Sequence, residues 1–520
     1  MTSSKPDMTT TAGRIEDLRN RLADAQAPAG QDAIDAVHAT GAATARERVE
    51  KLLDEGSFVE TDALAKHRVE AFKMDRTKPS TDGVVTGYGL IDGRRVCVFS
   101  QDPTIFDGRM GEAYAEKILK IYDLATKTGV PLIGIYDSVG ARWQEGIVTA
   151  HMQAQILAAA TRASGMVPQI AVVAGDVASL AATPVPLADV TVMAEGAALH
   201  MATPDIVAKV NGNADGAVDA VDTVDAVDAV ALGGREVHAT RTGLAQLTAA
   251  TDLEAVDLAR TLVGYLPLNN RAASPLGASE ASAGADATAD LDTFMPDDDN
   301  QPYDAADIIN AVTDGDFFEL GATFAGSVLT GFAHIGGRAV GVLATQPSVL
   351  AGCLTRDGAR KAARFIRTCD AFNLPVVQFV DCPGFLPAVE EEHAGAVVAA
   401  SALAYAFAEA QVGTITVVTR KALGPAYTLL GSKGLGADLV FAWPTAQIAL
   451  ADAATAAEAI GTDEAAYAED NLNPYVATER GLVDAVIEPS ATRAQVLEGL
   501  RLLERKVAYP PQKKHGNIPL

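Results

Sequence analysis

The amino-acid sequence predicts an α/β protein that contains two tandem copies of one domain. The chain has 520 residues, which is too long for one ordinary hydrophobic core, so two domains or more are expected. Residues 131–140 and 375–384 each read as an apolar run followed by Asp and then Gly, and a constant offset aligns them without a gap. The 45 glycines and the aromatic content of only 5% favour closely packed α/β layers over long helical bundles.

The first elements along the chain are two predicted helices and a hairpin. Apolar residues at helical spacing in residues 12–27 predict an amphipathic helix, and residues 43–53 read as a second one. Residues 82–104 then contain two β-rich runs on either side of an Asp-Gly pair, which is a strong hairpin signal. A similar hairpin pattern recurs in residues 328–348.

Between the hairpin and the apolar strand, each half carries a predicted helix, at residues 112–126 and 357–371. A helix that leads into a buried apolar strand predicts a βαβ layer with largely parallel strands. Each half continues with another strand, at residues 170–174 and 414–419, followed by a small-residue turn. Because these elements recur in the same order, the sequence predicts internal duplication.

Two segments of biased composition separate or interrupt the copies. Residues 272–300 are rich in Ala, Ser, Asp and Pro and predict a solvated linker between domains at residues 1–271 and 301–520. Residues 215–231 repeat Asp-Ala-Val, and their regularly spaced carboxylates are Asp219, Asp222, Asp225 and Asp228. A calcium loop needs alternating oxygen ligands and a glycine-assisted turn, so we expect a solvated loop or exposed helix rather than a cation site.

Charge and cysteine content exclude several classes of partner and site. The formal net charge of −26 disfavours binding to nucleic acid or to an anionic membrane. The four cysteines form no C-x-x-C pair, which argues against a metal site or a disulfide framework and predicts reduced cytosolic thiols. Residues 1–11 lack the apolar core of a signal peptide, and no apolar run reaches the ~18 residues of a membrane span, so a soluble cytoplasmic protein is expected.

Candidate chemistry concentrates at the predicted carboxyl ends of the strands, where loops and helix N-termini present unpaired N–H groups. The four ends are residues 137–142, 175–182, 381–387 and 421–433. The last is a small-residue turn that opens a helix and could offer donors to a developing oxyanion, although packing alone could explain its small residues.

The eight histidines show no metal-ligand spacing, and no G-x-S-x-G motif occurs. Asp137 and Asp381 could be paired catalytic carboxylates, but we expect them to cap backbone N–H groups.

Several motifs occur in one order along nearly the whole chain, from about Gly13 to Leu520. They are residues 86–89 with 100–102, 137–146, 361–365, 381–387, 431–433 with 436–438, 442–446 and the ending 513–520. Together they resemble the carboxyltransferase (β) subunit of biotin-dependent acyl-CoA carboxylases of the acetyl-CoA and propionyl-CoA type. So many motifs in one order make the resemblance specific.

The resemblance implies two tandem crotonase-like domains of the ClpP/crotonase superfamily, the first on the CoA side and the second on the biotin side. It also implies a ring-shaped homo- or hetero-hexamer of sibling β subunits. Carboxybiotin on a separate biotinylated α subunit would give its carboxyl group to the α-carbon of an acyl-CoA. This chain has no Met-Lys-Met biotinylation motif, so biotin is expected on the partner and not covalently on this chain.

The family uses two oxyanion holes, one in the first half for the thioester enolate and one in the second half for the biotin ureido oxygen. The first hole, normally Ala-Gly-Gly-Ala, reads here as Ala178, Ser179, Leu180 and Ala181. The second, normally Gly-Gly-Ala-Tyr, reads as Gly424, Pro425, Ala426 and Tyr427. Replacing glycine is expected to remove access to positive φ, and proline has no N–H, so both holes are predicted to be altered.

The resemblance also implies a set of substrate-binding positions. They are Ser138, Val139, Gly140, Ala141, Arg142, Tyr427 and Thr428. Val139 stands where the family has glycine, and Thr428 matches the position that tunes acyl-chain length. Thr203 likewise replaces a glycine, and residues 452–471 stand where the family has a small-residue helix.

Three functions follow from these patterns. The first is a working carboxyltransferase subunit. Its donors would be the backbone N–H groups of Ser179, Leu180, Gly424 and Ala426. Alternatively, the chain is a non-catalytic structural or regulatory β subunit with degenerate holes in a mixed complex. Another crotonase-like enzyme acting on a CoA thioester, such as a hydratase, is the third possibility, which the two-copy architecture and the carboxylase-like ending disfavour.

Overall fold

The computed structural model describes residues 5–214, 227–277, 288–509 and 511–519. The chain forms two compact units, Met1–Val263 and Gly264–Leu520. Asp219, Asp222 and Asp225 of the Asp-Ala-Val segment and residues 278–287 of the predicted linker lie outside the described residues. Among the helices that are described, none is long and apolar enough to cross a membrane.

The first unit is built on one mixed sheet with the strand order β1-β2-β3-β4-β5-β6-β8, and β7 pairs with β5. Its strands are β1 (Val59–Thr61), β2 (Val84–Ile91), β3 (Arg94–Gln101), β4 (Leu132–Ser138), β5 (Gln169–Ala178), β6 (Val190–Ala194), β7 (Ala198–His200) and β8 (Leu247–Ala249). β1, β2 and β3 pair antiparallel, and the remaining pairings are parallel. The predicted hairpin is confirmed, and its turn places Asp92 and Gly93 at φ values of 49° and 76°, which suits a two-residue hairpin turn.

The first unit contains the two helices predicted near the N-terminus, which are the first and third in chain order, and between them a helix that was not predicted. The helices of this unit are α1 (Thr11–Gln26), α2 (Gln31–Ala39), α3 (Ala45–Leu52), α4 (Glu112–Thr128), α5 (Ile147–Ala163), α6 (Pro204–Ala214), α7 (Ala229–Gly233), α8 (Arg235–Val237) and α9 (Asp252–Tyr265). A capping box between Thr44 and Glu47 fixes the start of α3. Asp228, the described aspartate of the Asp-Ala-Val segment, caps α7 by accepting a hydrogen bond from the Val230 N–H at 3.2 Å.

The second unit repeats this sheet with the order β16-β14-β13-β12-β11-β10-β9, and β15 pairs with β13. Its strands are β9 (Phe318–Glu319), β10 (Val328–Ile335), β11 (Arg338–Thr345), β12 (Val376–Cys382), β13 (Thr414–Leu423), β14 (Leu439–Ala442), β15 (Gln447–Ala449) and β16 (Ala485–Val486). The offset in residue number that aligns the two sequence motifs also relates the first and last residues of β2, β3 and β4 to those of β10, β11 and β12. The duplication predicted from the sequence is therefore confirmed.

Helices cover both faces of the second sheet. They are α10 (Ala305–Val312), α11 (Arg356–Ala371), α12 (Val389–His393), α13 (Ala396–Glu409), α14 (Pro425–Leu429), α15 (Ala453–Ile460), α16 (Glu464–Asn471), α17 (Tyr475–Glu479) and α18 (Thr492–Leu503). One apolar cluster joins α11 and α13 to one face, and a second joins α10 and α18 to the other. Helices on both faces explain why the central strands are continuous apolar runs rather than alternating ones.

Short single-turn helices mark several strand ends and connections. The 3₁₀ turns are Ala71–Arg76, Ser80–Gly83, Phe106–Gly108, Trp143–Glu145, Ser179–Ala182, Val185–Leu187, Ala289–Thr293, Leu350–Gly352, Lys433–Leu435 and Pro489–Ala491, and a π turn spans His238–Thr242. Residues 452–471, which replace the expected small-residue helix, form the pair α15 and α16. The fold class predicted from the sequence, α/β in two tandem copies, is confirmed.

Candidate functional site

The first candidate site lies where β5 ends at Ala178 and enters the 3₁₀ turn Ser179–Ala182, which we call the first turn. Ser179 has a φ of 57°, so the serine adopts the left-handed backbone that we expected only glycine to reach. That conformation costs a non-glycine residue roughly 1–2 kcal/mol. In the described part of the chain, neither the Ser179 N–H nor the Leu180 N–H donates to any acceptor. The first turn therefore presents two adjacent unused backbone donors.

The loop after β4 lies directly beside the first turn. Gly140 has a φ of 111°, and a Cβ placed on it would lie 3.4 Å from the Ala178 carbonyl oxygen. The Met110 N–H donates to the Gly140 carbonyl at 2.9 Å, and the Arg142 N–H donates to the Met110 carbonyl at 2.9 Å. Residues 138–142, predicted from the resemblance to bind substrate, are thus brought to the first turn and fixed there by backbone hydrogen bonds.

Arg142 has a structural role inside this loop. Its side chain is only 1% exposed, and Nη1 lies 2.9 Å from Asp82 Oδ1 and 2.8 Å from Glu145 Oε1. Burial raises the pKa of Asp82, although the neighbouring guanidinium opposes that rise. Since these acceptors engage Arg142, it supports the loop from within, and its predicted direct contact with substrate stays a prediction. Val139 and Ala141 are half-buried, and Ser138 is buried.

Asp137 is partnered by an arginine rather than by a second catalytic carboxylate. Arg48 on α3 places Nη1 2.9 Å from Asp137 Oδ2 and Nε 2.7 Å from Asp252 Oδ2. Burial raises the pKa of Asp137, and Arg48 opposes this effect. The arginine is almost fully buried and joins α3, β4 and the start of α9. We conclude that Asp137 anchors the fold beneath the first site.

The second candidate site lies where β13 ends at Leu423 and is followed by residues 424–427, which we call the second turn. Gly424 has a φ of 49°, and a Cβ placed on it would lie 2.7 Å from the Leu450 carbonyl oxygen, so glycine is required there. The Gly424 N–H donates to the Ala449 carbonyl at 2.9 Å. The Gly424 hydrogen is therefore engaged within the chain, and its donation to a ligand stays a prediction.

The donors that remain in the second turn come from its last two residues. Pro425 has no N–H and occupies the first position of α14, where proline is well tolerated. The N–H groups of Ala426 and Tyr427 have no acceptor among the described residues. Thr428 is exposed, and its hydroxyl donates to the Gly424 carbonyl at 3.1 Å. Burial raises the pKa of the half-buried Tyr427.

Asp381 supports the second turn as Asp137 supports the first. Its Oδ2 lies 2.8 Å from Arg420 Nε, and its Oδ1 accepts a hydrogen bond from the Lys421 N–H at 3.0 Å. The prediction that Asp381 caps a backbone N–H is confirmed. The loop after β12 repeats the bonds of the first unit, because the Leu354 N–H donates to the Gly384 carbonyl at 3.0 Å and the Leu386 N–H donates to the Leu354 carbonyl at 2.8 Å.

The described residues contain no group of three or more His, Cys, Asp or Glu side chains that could hold a metal ion. Both turns present backbone N–H groups that can donate hydrogen bonds to a negatively charged oxygen. Sequence reasoning found both turns but missed the two arginines that anchor them. Arg48 lies 89 residues from Asp137, and no local pattern links the two. Arg420 lies directly between the predicted strand at residues 414–419 and the candidate site at residues 421–433. That position was the available signal for its role.

A family model and full-length relatives both match this chain to carboxyl transferase proteins. The carboxyl transferase domain model matches residues 36–518. The chain is 45% identical to the biotin-dependent acetyl-/propionyl-coenzyme A carboxylase beta5 subunit of Mycobacterium tuberculosis, over 99% of this chain and 96% of that protein. It is 46% identical to the propionyl-CoA carboxylase beta chain of Saccharopolyspora erythraea, over 99% of this chain and 97% of that protein.

A solved structure with the same fold is that of transcarboxylase 12S, a hexameric multienzyme core with hydrolysed methylmalonyl-coenzyme A bound. The two chains are 38% identical with a TM-score of 0.93, and the match covers 98% of this chain and 99% of the other.

Proposed function

The chain belongs to the carboxyl transferase family, and from that premise we propose that it transfers a carboxyl group from carboxybiotin to the α-carbon of an acyl-CoA. It acts as the carboxyltransferase (β) subunit of a biotin-dependent acyl-CoA carboxylase. Its two tandem domains have the crotonase-like fold of transcarboxylase 12S. The predicted functional boundaries, residues 1–271 and 301–520 with a linker between them, stay a prediction.

The observation that carries this proposal is the pair of unused N–H groups at Ser179 and Leu180. Loss of a proton from the α-carbon of an acyl thioester moves negative charge onto the thioester oxygen. Backbone donors fixed in advance around that oxygen stabilise the enolate without reorganising in the transition state. The positive φ of Ser179 turns consecutive N–H groups toward one side of the chain, which suits binding of a single oxyanion.

On the biotin side, we propose that the N–H groups of Ala426 and Tyr427 face the ureido oxygen. As carboxybiotin loses its carboxyl group, charge develops on that oxygen, and donors there make biotin a better leaving group. The second turn has fewer free donors than a Gly-Gly-Ala-Tyr sequence would allow, because Pro425 lacks an N–H. Loss of one such donor in other enzymes costs about 2.7–4 kcal/mol of transition-state stabilisation.

Biotin enters this reaction on a partner protein. We propose that a biotinylated α subunit carries it to a hexamer of β subunits, made of this chain alone or with siblings, since transcarboxylase 12S assembles as a hexamer. The four cysteines of the chain lie in the described residues as free thiols, which supports a cytoplasmic location.

The substrate we propose is a short acyl-CoA, acetyl-CoA or propionyl-CoA, because relatives that match nearly the whole chain are named for these two substrates. Tyr427 and Thr428 lie in the first turn of α14, and their binding to substrate stays a prediction. Thr428 is small and polar, so we expect no deep apolar pocket for a long chain at this position.

A non-catalytic β subunit remains the alternative, and one observation favours it. In the second turn the Gly424 N–H is engaged by Ala449, and Pro425 contributes no donor. The comparisons do not favour this alternative, because the matched relatives are named as carboxylase or decarboxylase subunits.

The reverse half-reaction tests the proposal without the α subunit. The purified full-length protein is incubated with methylmalonyl-CoA and free biotin, and formation of propionyl-CoA is followed. Biotin-dependent formation of propionyl-CoA supports the proposal. Binding of propionyl-CoA in calorimetry without any transfer would support the non-catalytic alternative, and absence of both binding and transfer would contradict the acyl-CoA assignment.

A further inference from the structure

His200, at the end of β7, is a buried histidine that no sequence motif singled out. The residue is 8% exposed, and neither ring nitrogen has a hydrogen-bond partner among the described residues. Its Nε2 lies 3.0 Å from Asp176 Oδ1, which is an ion-pair distance, although the two groups are poorly aligned for a hydrogen bond. Unpaired buried polar atoms are unfavourable by about 1–3 kcal/mol each, so the ring nitrogens of His200 favour a polar neighbour such as Asp176 over an apolar one.

The strand register places this pair at the first turn. β5 and β7 run parallel, with Asp176 opposite Ala198 and Ala178 opposite His200. Side chains two positions apart on a strand share a face, so Asp176 and Ala178 point to the same side of the sheet as His200. Ala178 leads directly into Ser179. The contact therefore joins the ends of the two strands where the unused N–H groups begin.

The second unit closes the equivalent strand ends in a different way. There, Leu423 at the end of β13 pairs with Ala449 at the end of β15, and the Gly424 N–H donates to the Ala449 carbonyl. In the first unit, no described hydrogen bond joins the Ser179 N–H to the His200 carbonyl. The side-chain contact between His200 and Asp176 thus stands where the other copy has a backbone hydrogen bond.

Several charged groups lie around Asp176 and His200. The carboxylates of Asp102 and Asp176 both act to raise the pKa of Asp137, after the larger effect of burial. Arg48 is shared between Asp137 and Asp252, so it does not neutralise Asp176. On the other side of β7, the ring of His238 contacts the Leu199 carbonyl at 2.7 Å. Arg235 of α8 lies 3.4 Å from Glu195.

We propose that His200 and Asp176 form a positioning pair for the first turn. The pair adds a side-chain contact to the backbone pairing at the ends of β5 and β7, next to the Ser179 N–H that is free to bind the thioester oxygen. A backbone closure of the kind seen at Gly424 would use that hydrogen. This inference rests on the proposed function, since it assigns the pair a task in enolate stabilisation.

The test compares His200→Gln with His200→Phe. Glutamine places an amide N–H near the position of Nε2 and keeps the contact with Asp176, whereas phenylalanine keeps the ring and removes the donor. We expect His200→Phe to lower kcat of carboxyl transfer about 10-fold with little change in KM, because a weakened oxyanion interaction acts on the transition state. His200→Gln is expected to keep kcat within about 3-fold of the wild-type value.

The matched control is His151→Phe on α5, since His151 is exposed and belongs to neither turn. Amide hydrogen exchange over residues 176–182 is measured in the same variants and needs no catalysis. Faster exchange there in His200→Phe, with wild-type exchange in His200→Gln and His151→Phe, supports the pair.

Equal behaviour of His200→Phe and His200→Gln in exchange would overturn the inference, and so would wild-type exchange in His200→Phe. If wild-type protein transfers no carboxyl group, the proposed function fails instead, and the exchange result still decides whether His200 positions the turn.

Discussion

The first and second turns occupy the same place in two copies of one fold but use their backbone hydrogens differently. In the first turn, Ser179 accepts a strained φ of 57° and keeps its N–H free. In the second, Gly424 has a similar φ of 49° but donates its N–H to Ala449, and the next residue is proline. The positive φ is shared between the copies while the set of free donors is not. Geometry alone therefore does not specify an oxyanion hole.

Outside the turns, several close contacts and hydrogen bonds recur in both copies. Gly108 and Gly352 have φ values of 66° and 76°, and a Cβ on either would meet the carbonyl oxygen of the aspartate near the end of β4 or β12. Lys117 is buried and donates to the carbonyls of Thr81 and Val84, and the half-buried Lys361 donates to those of Gly321 and Val328. This contrast between a constant framework and variable donors gives three predictions.

The largest effect is expected from removing an anchoring arginine. Arg420→Met leaves Asp381 buried without its cation, which should lower the free energy of unfolding of the second unit by about 3–5 kcal/mol. The double variant Arg420→Met/Asp381→Leu should recover most of this loss, because no buried charge remains. Urea unfolding followed by fluorescence of the buried Trp443, in a Trp143→Phe background, reports on this unit.

The first unit should respond differently to the same experiment. Arg48 serves both Asp137 and Asp252, so Arg48→Met/Asp137→Leu leaves Asp252 without its cation and should recover less stability than the double variant in the second unit. Circular dichroism reports both units, so the first unit's unfolding is the part of that signal which Trp443 fluorescence does not follow. Equal recovery in both units would contradict the difference between one shared arginine and one dedicated arginine.

The next effect concerns the missing donor. Pro425→Gly restores a backbone N–H to the second turn, and kcat for carboxyl transfer should rise by up to about 100- to 1000-fold if that donor reaches the ureido oxygen. Ser179→Gly with Leu180→Gly should add less, because Ser179 already adopts a positive φ and both N–H groups are present. Pro425→Ala is the control that separates the N–H from glycine's flexibility. Unchanged kcat in Pro425→Gly would place the limiting defect elsewhere.

The smallest effect tests the constant framework. Burial lowers the pKa of Lys117 and of Lys361 to about 8 in the folded protein. Between about pH 8 and 10.5, each lysine binds a proton in the unfolded chain that it has released in the folded chain. Each lysine therefore makes the free energy of unfolding rise with pH in this range. Relative to Lys361→Met, the wild-type free energy of unfolding should therefore increase by up to about 3 kcal/mol between pH 8 and 10.5.

Lys117→Met should show the same pH dependence as Lys361→Met if the two lysines are equivalent. Subtracting each variant from the wild type cancels the buried cysteines and tyrosines, whose raised pKa values also change stability in alkaline solution. If the difference in free energy of unfolding between wild type and variant stays constant between about pH 8 and 10.5, the assignment of a lowered lysine pKa is contradicted.

Sequence reasoning recovered the framework because its signals are local or periodic. The Asp-Gly turn predicted the first hairpin, and the constant offset between the copies transferred that prediction to the second hairpin. Helices predicted at residues 112–126 and 357–371 are observed as α4 and α11 with nearly the same bounds. Such elements follow from hydrophobic period and turn chemistry, which can be read from neighbouring residues.

The donor pattern of the turns could not be read in this way. Whether the Gly424 N–H is free depends on the position of Ala449, well beyond it in the sequence, and on the parallel pairing of β13 with β15. The φ of Ser179 was predicted wrongly because propensity disfavours a left-handed serine, while the surrounding strands hold it there. His200 escaped notice for a related reason, since its partner Asp176 is adjacent only through the pairing of β5 with β7.

The alignment of the two copies also shows where the chain tolerates changes of length. The strands from β2 to β4 keep one constant offset from their counterparts β10 to β12, whereas β5 and β13 depart slightly from it and the segments beyond them differ further. Insertions have therefore accumulated mainly after β5 and β13 rather than before them. An affinity tag or fluorescent label would be better accommodated in the mostly exposed residues 461–473 than anywhere between β2 and the loop at Gly140.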